Sequence, residues 1–165
     1  MLYSIQKEMP MQLLSKVFVL TIVICLVSSF SVLAHGHKEA KGKVTVDAAW
    51  ARSTFALAKT GAIYLSINNQ SKHDIKLLSV NVEASIADDA QLHETLMGDG
   101  MMQMREAEDG FDIPSGSLLN FEPGGKHIML MGLKKPLTAG EEFSLSLVFE
   151  KNKVLRVPII VKDAR

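Results

Sequence analysis

Two short segments of this sequence concentrate side chains able to ligate a soft metal ion. The first runs from His93 to Met104 and holds His93, Met97, Met101, Met102 and Met104; the second is His127-Ile128-Met129. Thioether sulfur is soft and uncharged, a poor ligand for Zn²⁺, Ca²⁺ or Mg²⁺ and a good one for Cu(I), and imidazole adds a borderline donor. Alternate side chains of an extended strand share a face, so Met102 and Met104 lie together, as do His127 and Met129, roughly 7 Å apart at the backbone. Ile128 and Leu130 then face the other way, toward a core. Two histidines and two methionines would hold Cu(I) in a roughly tetrahedral site. A methionine in a strand more often fills a core, and Met97, Met101 and Met131 are read that way. His73, beside Asp74 in a turn, reads as a surface residue.

Short strands separated by turn residues must position these groups. The apolar segments predict strands over 44–51, 62–68, 75–82, 90–96, 101–105, 117–121, 127–133, 143–150 and 154–161. Gly98 to Gly100 reads as a hairpin turn that sets His93 on one strand and Met102 and Met104 on the next. In Phe143-Ser144-Leu145-Ser146-Leu147 every second residue is apolar, the period of a half-buried strand. Ala84 to Asp89 suits a single helical turn, and no segment has a long helical apolar period. Many short strands at this spacing predict an all-β sandwich or barrel, with Trp50, Ile63, Leu65, Leu145 and Leu147 in its core.

The first thirty-four residues stand apart. Lys7 and Lys16 precede an uncharged apolar run from Val17 to Phe30, closed by Ser31-Val32-Leu33-Ala34. That is the layout of a secretory signal peptide cleaved after Ala34. The run is short for a bilayer span, and Cys25 lies inside it without the small residues that precede a lipidated cysteine. Residues 35–43 form a polar arm and 44–162 the folded domain. Because Cys25 is the only cysteine, the processed chain has neither a disulfide nor a thiolate. A blue-copper electron-transfer centre is thereby excluded. Removing Lys7, Lys16 and Glu8 with the leader leaves 16 basic residues against 17 acidic, a balance that offers no footing for nucleic acid.

The string His93…Met104…His127-x-Met129 resembles the signature of the PCuAC family of periplasmic copper chaperones. The resemblance extends to Ala49-Trp50-Ala51-Arg52, to Ala62-Ile63-Tyr64-Leu65-Ser66-Ile67-Asn68-Asn69, to Gly100–Arg105, to Pro123–Leu130 and to Leu133-Lys134-Lys135-Pro136-Leu137 with Gly140. It implies a cupredoxin-like, immunoglobulin-like β-sandwich of Greek-key type with an accessible Cu(I) site. Carried over by motif position, the ligands are His93, Met104, His127 and Met129. It also implies a periplasmic metallochaperone whose acceptor is the CuA centre of cytochrome c oxidase subunit II.

Two further classes compete with that expectation. Copper sequestration or resistance would favour several sites per chain, whereas one His/Met site favours transfer. A copper oxidoreductase would cycle through Cu(II), for which two thioethers are poor ligands. No Ser/His/Asp arrangement, paired acidic motif or phosphate loop points to an enzyme. Cleavage after Ala34 would also leave a chain beginning His35-Gly36-His37. Its free amine, two amides and the His37 imidazole could wrap Cu(II) in a square plane, so a second, Cu(II)-selective site at the mature N-terminus is a further expectation.

Overall fold

A computed structural model of the chain describes residues 43–98 and 101–163. Among these residues there is no helix, and ten strands form one mixed sheet. They are β1 (Val44–Arg52), β2 (Thr60–Asn69), β3 (Ile75–Val82), β4 (Asp89–Gly98), β5 (Met101–Glu106), β6 (Phe111–Ile113), β7 (Leu118–Phe121), β8 (His127–Met131), β9 (Glu142–Phe149) and β10 (Lys153–Lys162). Their order is β5-β4-β8-β2-β1-β10-β9-β3-β6, with β7 pairing the far end of β2. The sheet folds into a sandwich because each half carries an apolar face that only the other half can cover. Ile63, Leu65 and Ile67 of β2, Leu92 of β4 and Ile128 and Leu130 of β8 meet Leu77 of β3, Leu145 and Leu147 of β9 and Ile159 of β10 in one buried cluster.

Alternation places most side chains as the sequence predicts. β9 runs exposed-buried almost throughout, and Ile128 and Leu130 are wholly buried. The segment after β3 makes one turn, closed by Ile86 N–H donating to the Glu83 carbonyl at 2.9 Å. β6 is an additional strand, three residues long, paired to Ile75–Leu77. The expected leader, the polar arm with His35 and His37, and the tip residues 99 and 100 lie outside the described residues.

Trp50 departs from expectation, for a local reason. Val44 to Asp47 pair with Asn69 to Ser66, but the register then slips, so that Trp50 meets Tyr64. One extra residue sits in β1 there, and Ala48 adopts a φ of 51°. Such a bulge exchanges the faces of all that follows it. Ala51 enters the core, while Trp50 and Arg52 turn to the outer face, where Trp50 packs on Tyr64 with ring centroids 4.8 Å apart. That outer face also carries the candidate site.

Candidate metal centre

β4 supplies the middle of the site. His93 lies directly opposite His127 of β8, and Gln91 opposite Met129. On the other flank, Thr95 lies opposite Met104 of β5 and Met97 opposite Met102. All of these residues share one face because they occupy alternate positions of paired strands. The two imidazole centroids are 5.6 Å apart, with the rings tilted by 47°. Met104, His127 and Met129 line one open cleft of about 540 Å³ with Thr95 and Met102. The structure thus brings the four predicted residues onto one surface from three adjacent strands.

Hydrogen bonding sets the tautomer of each histidine. His93 Nε2 lies 3.1 Å from the Gln91 side-chain oxygen, which can only accept, so Nε2 carries the proton. Its Nδ1 therefore bears the lone pair; this atom is buried and has no hydrogen-bond partner. His127 Nδ1 lies 3.2 Å from the Gly125 carbonyl, so it donates there and leaves Nε2 as the free donor atom. A ligating histidine characteristically gives its other N–H to such an acceptor, which fixes the ring and raises its basicity. Burial lowers the pKa of His93, the neighbouring His127 lowers it further, and Glu106 opposite partly offsets both. The unprotonated, ligating form of His93 is thereby favoured.

Exposure is graded across the group. His127 is 8 % exposed, Met129 and His93 are half-buried, and Met104 is 66 % exposed. Met97 and Met101, expected in the core, are instead 74 % and 63 % exposed. The outer part of the β4–β5 hairpin extends beyond the sandwich, and every residue of β5 is exposed. Met131 is half-buried, and His73 is exposed as expected. Sequence reasoning did not single out Gln91 or Arg52. Gln91 could have been found from its position two residues before His93, on the same strand face. Arg52 was hidden by the bulge, which no residue pattern announces. Among the described residues, no three His, Cys, Asp or Glu side chains converge. The other soft donors on the face of His93 and His127 are the thioethers of Met97, Met102, Met104 and Met129.

The family model "Putative lipoprotein LpqE-like" matches residues 44–161. Protein Lxx21020 of Leifsonia xyli subsp. xyli, which carries the same lipoprotein description, is 49 % identical over 84 residues, covering 51 % of this chain and 51 % of that protein. RP573 of Rickettsia prowazekii is 29 % identical over 115 residues, 67 % of this chain and 62 % of that protein. The chain thus spans about half to three fifths of the length of these curated relatives. Among solved structures, the Cu(I) form of DR1885 from Deinococcus radiodurans superposes with a TM-score of 0.57 at 26 % identity, covering 78 % of this chain and 83 % of that one. The apo PCuAC domain of PmoF1 superposes with a TM-score of 0.60 at 24 % identity, over 74 % and 96 % of the two chains, a likeness of fold.

Proposed function

The chain belongs to the LpqE-like family, and from that premise we propose that it is an exported carrier of Cu(I), of the PCuAC type, that hands its ion to an acceptor protein. The observation that carries this reading is that His93 and His127 pair across β4 and β8 on the strand face that also bears Met104 and Met129, each ring with one nitrogen occupied by a hydrogen bond and the other left for a ligand. Two neutral nitrogens and two neutral sulfurs suit a soft monovalent ion and leave Cu(II) poorly served. The Cu(I) form of DR1885, at 26 % identity, supports the same ion. The lipoprotein description of the family supports export. On this reading residues 1–34 are the signal, 35–43 a polar arm and 44–162 the copper-binding domain, which works in the periplasm.

Cu(I) is cargo here. The buried His127 holds the ion while exposed Met104 gives way first, so an incoming ligand can take that position before the rest release. Each step exchanges one ligand for another at constant oxidation state, and no catalytic group is required. The acceptor we favour is the CuA site of cytochrome c oxidase subunit II. The Cu(I)-loaded protein, mixed with the apo form of that domain, should generate the acceptor's CuA absorption band in the presence of an oxidant, and a His127→Ala, Met129→Ala variant should not. Copper retained by the parent in the presence of the apo acceptor would refute delivery to it.

One observation favours a second reading, copper sequestration. Met97 and Met102 add two exposed thioethers on the face of the site. Binding of more than one Cu(I) per chain at chelator-buffered concentrations would support it, and a stoichiometry of one would support transfer.

A further inference from the structure

The cleft beside the metal centre contains a cation with nothing to pair it. Arg52 lines this cleft, and its Nε is buried without a hydrogen-bond partner. Among the described residues it forms no ion pair, and no Asp or Glu lines the cleft. Asp163 shares a separate cleft with Arg52, again without an ion pair between them. A buried guanidinium N–H left unsatisfied is costly, and its fork geometry matches a carboxylate.

The register shows what such a carboxylate would be attached to. Ala51 pairs with Ile63, and one step further along β1 Arg52 comes level with Ala62, which pairs with Met129. Arg52, Ala62 and Met129 therefore form one row across three strands, with Arg52 and Met129 roughly 10 Å apart at the backbone. Alanine between two long side chains leaves a trough with a cation at one end and a soft ligand at the other. A trough of this size takes a small molecule.

Building on the copper reading, we propose that this trough binds a small thiol carboxylate as the vehicle that brings Cu(I) to the site. The carboxylate pairs with Arg52 while the thiolate sulfur still holds the ion over Met104 and Met129. The Cu–sulfur bond to the thiolate then breaks as bonds to His93 Nδ1, His127 Nε2 and the two thioethers form. Copper stays Cu(I), and the thiolate leaves with its electron pair and takes a proton from water. By microscopic reversibility the same contact speeds removal of copper by such a thiol.

The test compares removal of Cu(I) from the processed, loaded protein by 3-mercaptopropionate and by 2-mercaptoethanol at equal thiolate concentration, with the copper remaining measured after rapid desalting. The expected ratio of rates, referenced to that of Arg52→Gln, is about tenfold in favour of the carboxylate thiol. Arg52→Lys should recover part of it, and Lys72→Gln, a remote change of the same charge, should leave the parent ratio unchanged. Chelator competition should show equal Cu(I) affinity in parent and Arg52→Gln. An unchanged ratio in Arg52→Gln, or an equal loss in Lys72→Gln, overturns the proposal while the copper reading stands. A parent that holds no Cu(I) in the chelator assay overturns both.

Discussion

Gln91 has no metal-binding chemistry of its own, yet its side-chain oxygen decides which nitrogen of His93 carries the lone pair. Replacing Gln91 with Leu should lower Cu(I) affinity by about tenfold, the usual cost of losing an orienting partner. Chelator competition checks this, and the His127→Ala, Met129→Ala variant should lose far more. A second expectation concerns protons. Unfolding restores His93 to its ordinary value of 6.5, above its native one, so below 6.5 the unfolded chain takes up more protons than the native chain. The stability contributed by a neutral His93 is thus complete above 6.5 and is lost as pH falls through the native value. Histidine NMR of the apo protein should show His93 titrating below 6.5, with the urea midpoint declining over the same range. The ligand types and the His-x-Met spacing were legible in the sequence because they are local. The exposure of Met97 and Met101 was not, because residue type does not say where a hairpin leaves the body of a sandwich.

Among the elements, β1 shows how one residue sets the faces of a strand. Alternation counted from Val44 and Val46 would have sent Trp50 and Arg52 inward; the bulge at Ala48 sends them outward. A bulge depends on the partner's register, which alternation alone cannot supply. β6 escaped notice for another reason: Phe111-Asp112-Ile113 is too short to display a period. The remaining strands were legible to within one or two residues because their apolar runs end in turn residues. At the far end of β2, Asn69 is wholly buried and satisfied at both ends of its amide. Its Nδ2 donates to the carbonyls of His73 at 2.9 Å and Ile113 at 2.8 Å, and its Oδ1 accepts from Ser71. This one side chain ties β2 to β6 and to the loop before β3. Asn69→Ala should cost about 3 kcal/mol through the buried carbonyls it leaves unpaired, measured as a fall in the urea midpoint, with Cu(I) affinity unchanged because the site lies at the opposite end of β2.

For the molecule as a whole, the core and the candidate site use opposite faces of the same strands. Leu92, Ile128 and Leu130 close the sandwich without reference to the ion. The apo protein should therefore show a folded β spectrum by circular dichroism, and Cu(I) should raise its melting temperature by binding the native state alone. The His127→Ala, Met129→Ala variant should fold and show no such rise. Cu(I) is expected to be held by two imidazoles and two thioethers at one surface of the sheet. Copper K-edge absorption of the Cu(I)-loaded protein addresses that claim directly. It should show two nitrogen and two sulfur neighbours, with the sulfur contribution lost in a Met104→Ala, Met129→Ala variant. A first shell of nitrogen or oxygen alone, or a parent spectrum unchanged in that variant, would contradict the account.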